Sequence, residues 1–351
     1  MCRKINSNDL KIFCISAMEK GGMGREDAEI AADVLVTTDL FGIHSHGTKN
    51  LRKYIKKIQS GGINPRAVPK IVAEGDSWAI LDGKAAIGMV ESYKAMEIAI
   101  KKAKKSVISY VGVKNGSHFG AAGYYAYMAA KQNMIGIAMS NTDPNMSIPG
   151  GRGAIIGNNP FSYAVPTGTD KAIILDIAMS TVAALKVIQA EKDKKQIPDN
   201  WVVDKDGLPT TDASDYTEKG GSLQPMAGYK GYGLSLLVEV LVAVLTGAGV
   251  TKESKSWNNE LSLNCNSGHA FIAINIDAIM PLSLFKNRID NLVNEIHESP
   301  KASNAGRIYL PGEIEWEKYD YAQKNGIKLP EYVFESLQRL AKDLNIAFKH
   351  K

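Results

Sequence analysis

The chain has 351 residues, 44% of them hydrophobic, and its 42 basic and 37 acidic side chains leave a formal net charge of +5. This length and apolar content predict a globular protein with a full core, larger than one simple domain. The weak charge argues against a nucleic-acid partner and suits anionic small molecules, while three scattered cysteines argue against a disulfide framework and fit a reducing, cytoplasmic compartment.

The opening of the chain has the apolar spacing of helices. This spacing covers residues 7–20, 25–41 and 51–59, and the loop GIHSHGTKN separates the last two. No uninterrupted apolar core or small-residue cleavage site opens the sequence, so we expect no secretion signal. We expect residues 1–68 to form a helical region that packs with the C-terminal helices.

From residue 70 onward, short apolar runs alternate with helical patterns, which is typical of an α/β fold. Strands are predicted at KIVAEG, WAILDG, VISYVGVKN, MIGIAMSN, FSYAVPTG, AIILDIAMS and HAFIAINIDA. Helices are predicted over 88–105, 121–132, 181–195, 233–245, 283–297 and 330–344. The pattern therefore predicts an α/β core over 69–315 and a C-terminal helical segment over 316–351.

Two long segments stand out in that core. The run LSLLVEVLVAVLTGAG carries Glu239 and is shorter than the roughly 20 apolar residues of a membrane span, so it predicts a buried helix rather than a membrane segment. Residues 199–228 are polar and rich in turn formers, which predicts an irregular loop of functional interest.

The glycine pattern GGRGAIIG resembles a dinucleotide-binding loop only superficially. Such a loop must follow a strand at once and open a helix, so that the pyrophosphate meets the helix N-terminus. Here a Pro-containing loop precedes the glycines, and Pro160 and Pro166 follow them. A Rossmann domain is therefore disfavoured.

Two histidines lie in the loop HSHG, between two predicted helices. A His-x-His pair can bind zinc, but no cluster of Cys, His, Asp or Glu nearby supplies the other ligands, so we predict no metal site. In the alternative interpretation, one of His44 and His46 packs at the helix end and the other reaches a cleft. The loop position favours a functional role for this segment.

His118 ends a predicted strand and precedes a helix, the place where α/β sheets usually carry their sites. Small residues surround it, among them Gly116 and Gly120, which suggests close approach by a ligand rather than a packed core histidine. Imidazole titrates near pH ~6.5, so it can exchange a proton at neutral pH. A catalytic role is favoured over a structural one.

Two further stretches leave alternatives open. In LDIAMS, a strand ends in Asp176 and small residues that predict a helix start, so the free N–H groups could bind phosphate, or Asp176 and Ser180 could simply be helix caps. In GYKGYGLSLL, Lys230 could reach a phosphate or carboxylate, or could be solvated.

Taken together, these stretches resemble the malate/L-lactate dehydrogenase family that lacks a Rossmann fold. The resemblance spans almost the whole chain and rests on ordered matches such as DLFGIHSHGTKNL, INPRAVPKIV, NGSHFGAAGYYA, NNPFSYAVPTG, NSGHAFIAINIDA and LPGEIEW. It implies a mixed sheet of the sulfolactate dehydrogenase type, hydride transfer between a 2-hydroxy acid and NAD or NADP, a homodimer, and no membrane or nucleic-acid partner.

The resemblance also implies roles for individual residues. His118 would be the acid/base, with Ser45 and His46 beside the substrate oxygen. Cofactor contacts would come from Ser140, Asp176, Ile177, Ala178, Met179, Ser180, Lys230, Gly312 and Glu313.

Two departures concern the substrate. Many members of the family carry an arginine carboxylate clamp where this chain has Asn50, and Arg52 or Lys49 would have to replace it. Many also have asparagine where this chain has Ser117. The resemblance places Asp143 with the substrate residues. Malate and oxaloacetate are the first expectation, and the alternatives are lactate, ureidoglycolate, sulfolactate, a cyclic imino acid, or a non-catalytic dinucleotide-binding protein.

Overall fold

A computed structural model describes residues 3–349 of the chain. Its helices and strands, in chain order, are β1 (Lys4–Ile5), α1 (Ser7–Lys20), α2 (Arg25–Leu40), α3 (Leu51–Gln59), β2 (Lys70–Glu74), β3 (Trp78–Asp82), α4 (Gly88–Ser106), β4 (Ile108–Gly116), α5 (Ala122–Ala130), β5 (Met134–Ser140), β6 (Phe161–Val165), β7 (Ile173–Ile177), α6 (Ala184–Lys192), β8 (Val202–Val203), β9 (Pro209–Thr210), α7 (Ser214–Thr217), β10 (Ser222–Leu223), α8 (Tyr229–Glu239), β11 (Ser267–Asn275), α9 (Leu282–Glu298), α10 (Glu313–Asn325), β12 (Ile327–Lys328) and α11 (Glu331–Leu344). A π-helical turn over Val240–Val244 continues α8.

Seven strands form one mixed sheet in the order β2-β3-β4-β11-β5-β6-β7. Strands β3 and β4 run parallel, and the other neighbouring pairs are antiparallel. The glycine pattern GGRGAIIG lies between the antiparallel strands β5 and β6 and opens no helix. The mixed α/β fold and the lack of a Rossmann unit at this pattern are thus as predicted.

The two faces of this sheet build separate apolar cores. Helices α4 and α5 cover one face, and α1, α2, α3 and α11 extend the same core. On the other face lie α8, its π-helical turn and the small sheet β10-β8-β9. Successive residues of β11 alternate between the two, since Phe271 belongs to the first core and Ala270 to the second, as the two-residue period of a strand requires.

The two ends of the described chain share one helical layer. Helix α1 begins at Ser7 because the Asn6 side chain accepts the N–H groups of Asn8 and Asp9, at 2.9 and 3.3 Å. Helix α11 packs on α1 and α3, and β1 pairs with β12. The region boundaries at residues 68 and 315 stay a prediction.

The long apolar helix is not buried all round, so that prediction was wrong. Leu237, Val244 and Leu245 are 53%, 59% and 57% exposed, whereas Val238 and Val242 face the sheet. The helix has more apolar surface than one sheet face covers, and an apolar sequence alone does not show which of its sides is packed.

Two loop predictions also need correction. Strand β7 ends at Ile177, but the next helix begins only at Ala184, so Ser180 is not at a helix N-terminus; its hydroxyl donates to the Val182 carbonyl at 2.9 Å. The segment 199–228 is not wholly irregular, because it contains β8, β9, β10 and α7. Strands of two residues are too short for sequence periodicity to reveal.

Candidate active site

His118 lies two residues beyond the end of β4, before α5 begins. Its Nδ1 is 2.6 Å from the hydroxyl of Tyr54 on α3, which also lies 3.3 Å from the His118 carbonyl oxygen. Within residues 3–349 no group hydrogen-bonds to Nε2, and His118 is only partly buried. One ring nitrogen is therefore fixed by the protein, and the other is available to a ligand.

Aromatic rings surround the His118 imidazole. Trp257 stacks on it at 4.5 Å between centroids with 15° between the planes, and His46 lies nearly parallel at 5.8 Å. Burial, and then the charges of His46, His269 and Lys53, lower the pKa of His118 well below its ordinary value. The imidazole is consequently neutral at pH 7 and can accept a proton.

His44 and His46 make different contacts, and His44 is the one that packs at a helix end. His44 Nδ1 lies 2.8 Å from the buried carboxylate of Asp39, which also accepts the N–H and hydroxyl of Thr48 at 2.9 and 2.6 Å. A Cβ at Gly47 would lie 2.2 Å from Asp39 Oδ1, so this carboxylate requires glycine there. Asp39 thus fixes the loop that presents His46.

The His46 side chain is exposed to solvent on one side, and its ring lies 5.8 Å from that of His118. Its Nδ1 is 2.9 Å from the hydroxyl of Ser45. Desolvation by the neighbouring protein atoms, and then the charge of Lys49, lower the pKa of His46 below its ordinary value, so it is also neutral at pH 7. The described residues, 3–349, contain no group of three or more His, Cys, Asp or Glu side chains that could hold a metal ion.

The structure separates the candidates for the carboxylate clamp. Asn50 is nearly buried and donates to the Ser45 carbonyl at 2.9 Å, and Arg52 pairs with Asp343 of α11 at 2.9 Å. Because Arg52 lies about 200° round the helix from Tyr54, it points away from His118. The expectation that Arg52 could serve as the clamp is therefore not supported by its placement.

Lys49 is the candidate that stays near the site. It is half-buried, it acts on the pKa of His46, and no carboxylate among residues 3–349 pairs with it. Burial, and then the charges of Lys53 and Lys192, lower its own pKa. Three cationic side chains, those of Lys49, Lys53 and Lys192, thus lie near one another.

The segment 254–265 covers the site, which the sequence did not predict. The fully buried Lys57 holds this segment by donating to the carbonyls of Glu260 and Leu263 at 2.8 and 2.7 Å. Asp143 also lies against it, where burial raises the carboxyl pKa and a hydrogen bond from Ser256 opposes that rise. A lone tryptophan in the polar run SKSWNNE was the available signal for this segment.

Asp176 and Gly312, both predicted cofactor residues, share a second cavity of about 240 Å³. Asp176 Oδ2 accepts the N–H of Gly123 at 2.7 Å, at the start of α5. Burial raises the Asp176 pKa to about 6, and the charge of Glu315 adds to that rise. The cavity is lined by Thr37, Thr38, Phe41, Ile43, Ala121, Gly123, Tyr124, Ile174, Leu175, Asp176, Pro311, Gly312 and Glu315.

The other predicted cofactor residues lie outside this lining. The carboxylate of Glu313 pairs with His297 and Arg307, and Glu315 takes the place in the cavity that was expected of Glu313. The Ser140 hydroxyl is buried against His269 Nδ1 at 2.8 Å. Lys230 is exposed, Ile177 and Ala178 are half-buried, and the Met179 N–H donates to the Asn158 carbonyl.

Comparisons with known proteins agree with this architecture. The chain is 39% identical over 350 residues to a malate dehydrogenase of Pyrococcus abyssi, covering 98% of this chain and 95% of the relative. It is 33% identical over 334 residues to the NAD(+) ureidoglycolate dehydrogenase of Escherichia coli K12, covering 95% of each. The solved sulfolactate dehydrogenase of Methanocaldococcus jannaschii superposes with a TM-score of 0.92 at 38% identity, covering 99% of this chain and 98% of that one.

A family model described as malate/L-lactate dehydrogenase matches residues 5–338. In the part of the chain between residues 3 and 349, no helix is long and apolar enough to cross a membrane. The predicted family and fold are confirmed, as is the enzyme class, a dehydrogenase of hydroxy acids. The chain belongs to the malate/L-lactate dehydrogenase family.

Proposed function

We propose that this protein interconverts small 2-hydroxy and 2-oxo acids, with malate and oxaloacetate as the first substrates, and that His118 carries the proton. One observation supports this role above the others. His118 Nδ1 is fixed by Tyr54, while Nε2 has no protein partner among residues 3–349 and the side chain is only partly buried.

The residues present can complete the proton transfer. When His118 acts as base, Nε2 takes the hydroxyl proton of the substrate, Nδ1–H donates to Tyr54, and the Tyr54 hydroxyl donates to the His118 carbonyl oxygen. Ser45 and the neutral His46 orient the substrate oxygen. Bound nicotinamide supplies or accepts the hydride.

Lys49 is our candidate for the substrate carboxylate. Its ammonium is a point charge without a carboxylate partner among the described residues, and it acts on His46 beside the proposed proton carrier. Lysine cannot give the planar two-bond grip of arginine, so it fixes the carboxylate less rigidly. Lys53 and Lys192 add positive charge, which favours a substrate with two acidic groups.

The cavity at Asp176 suits the nucleoside part of a dinucleotide. Carboxylates accept hydrogen bonds from ribose hydroxyls and repel a phosphate, so Asp176 and Glu315 favour NAD over NADP. The apolar side chains that line the rest of the cavity suit a flat base.

The test is a panel of 2-oxo acids assayed with NADH, comparing the wild type with His118→Asn and with His297→Asn as control. His118→Asn should lower turnover on the order of a hundredfold or more while NADH binding persists, because general acid/base help is lost. Near-normal turnover of that variant would exclude the role. NADH binding without turnover of any acid by the wild type would favour a non-catalytic binding protein.

We also propose that a second copy of the chain covers the exposed apolar side of α8 and its π-helical turn. Apolar patches of this kind mark interaction sites, and the resemblance to a dimeric family supports self-association. Sedimentation should give the mass of a dimer, and Leu237→Glu should shift it toward a monomer. A monomeric wild type would contradict this proposal.

A further inference from the structure

A buried glutamate and histidine lie beneath the loop that carries His118. Glu91 comes from α4 and His269 from β11, and neither side chain reaches solvent. Glu91 Oε1 lies 3.3 Å from His269 Nε2.

The pair holds both backbone polar groups of Ser117, the residue before His118. Glu91 Oε1 accepts the Ser117 N–H at 2.9 Å, and His269 Nε2 donates to the Ser117 carbonyl at 3.0 Å. The His269 ring also stacks on Phe119, the residue after His118, at 4.7 Å and 7°. The pair therefore contacts the residues on both sides of His118, through the backbone of Ser117 and the ring of Phe119.

Three glycines make room for this arrangement. A Cβ at Gly116 would lie 2.7 Å from both Glu91 Oε1 and His269 Nε2, and one at Gly83 would lie 2.0 Å from Glu91 Oε2. At Gly88 a Cβ would lie 2.2 Å from the Ser117 carbonyl. The glycine before Ser117 thus accommodates the buried pair, whereas the sequence had suggested room for a ligand.

The arrangement is costly for folding. Glu91 Oε2 is buried and has no hydrogen-bond partner within residues 3–349, and burial raises the Glu91 pKa. A buried polar atom without a partner destabilises the folded state, and an apolar side chain would avoid that cost. Buried polar groups that reduce stability in this way are expected at sites where function constrains the sequence.

We propose that Glu91 and His269 are positioning residues for proton transfer: they fix the peptide of Ser117 and thereby the direction of His118 Nε2 toward the substrate. This inference rests on the proposed role of His118. A displacement of about 1 Å at a reacting group can cost roughly a hundredfold in rate, so an indirect support of this kind can have a large effect.

The experiment compares Glu91→Ala, Glu91→Gln and His269→Phe. Glu91→Ala should lower kcat roughly a hundredfold and leave the KM for NADH unchanged. Glu91→Gln should recover most of this loss, because its amide oxygen can still accept the Ser117 N–H. His269→Phe keeps the stacking on Phe119 but loses the donor to the Ser117 carbonyl, so it should also lower kcat. This variant tests the inference if Glu91→Ala does not fold.

Ser92→Ala, a buried change next to Glu91 on the same helix, is the control and should leave kcat unchanged. In a His118→Asn background, Glu91→Ala should cause no further loss, because a residue acting through His118 has nothing left to position. Wild-type kcat in folded Glu91→Ala or His269→Phe, or an undiminished loss in that background, overturns the inference. Activity retained by His118→Asn alone would instead overturn the proposed function.

Discussion

The surroundings of His118 and the cavity at Asp176 both adjoin the segment from His118 to the start of α5, but they are opposite in electrostatics. Burial is the main cause of the pKa shift in both places, and it favours the neutral form of each group. It lowers the pKa of His118 and raises that of Asp176 to about 6. At pH 7 the first site therefore offers a neutral base, and the second still offers a negative charge.

The groups that contact His118 and Asp176 also differ in charge. His118 Nδ1 contacts a tyrosine hydroxyl instead of a carboxylate, and the charge of Lys53 acts on the ring. Asp176 meets a backbone N–H and a second acid, Glu315. This difference supports the proposal that one region transfers a proton to or from an anionic substrate, and that the other binds a neutral, hydroxyl-bearing part of a ligand. Substitutions should therefore affect different kinetic constants.

The largest effect on a Michaelis constant is expected from substitution of Lys49. Lys49→Gln should raise the KM for oxaloacetate roughly 10- to 100-fold, since a hydrogen bond to a charged group contributes about 1.5–3 kcal/mol. The KM for NADH should not change. Arg52→Gln is the matched comparison and should leave both constants near wild type, because Arg52 pairs with Asp343.

Steady-state kinetics with varied oxaloacetate and varied NADH measure both constants. If Arg52→Gln raises the KM for oxaloacetate and Lys49→Gln does not, the clamp assignment is reversed.

A smaller effect, on cofactor preference, is expected from substitution of Asp176. Asp176→Asn keeps an acceptor for the Gly123 N–H but removes the charge, so the preference for NAD over NADP should fall about tenfold. The ratio of kcat/KM with NADH to kcat/KM with NADPH measures this preference. Glu317→Gln, a change outside the cavity, is the control. An unchanged ratio would separate Asp176 from cofactor recognition.

Asp176 should also influence stability in the ligand-free protein. Its pKa is raised from 3.8 to about 6 in the folded state, so the folded protein holds this proton more tightly than the unfolded chain. The wild type should lose stability as pH rises through that interval, and Asp176→Asn should lack this loss. Thermal unfolding at a series of pH values compares the two.

The sequence predicted what depends on local pattern. It located the main strands of the sheet and the helices that pack on it to within a few residues, and it put His118 just beyond the end of β4. Periodicity and turn residues are short-range properties, so they survive in a single sequence. The order of the strands, with β11 between β4 and β5, is not a local property, and neither the sequence pattern nor the family resemblance predicted it.

The sequence could not predict which side chains converge from distant elements. Tyr54 has the helical spacing of a core residue, and Trp257 reaches His118 from a loop 139 residues further along the chain. Similarly, Glu313 and Glu315 differ by two positions on one helix, about 200° apart, so only packing decides which one faces the cavity. Their placement is a tertiary property.

The smallest effect should come from Tyr54, and it tests whether His118 works without a carboxylate partner. Tyr54→Phe removes a neutral hydrogen bond worth about 1 kcal/mol, so kcat should fall only about fivefold. Tyr110→Phe, which loses a comparable bond to the Leu241 carbonyl, should leave kcat unchanged.

The pH dependence of malate oxidation tests the same site. Because the His118 pKa is lowered, its base form persists as pH falls, and the acid limb of kcat/KM for malate oxidation should lie below pH 6.5. An acid limb above pH 6.5 would mean that a negative charge stabilises the imidazolium, and the contrast with the Asp176 cavity would fail.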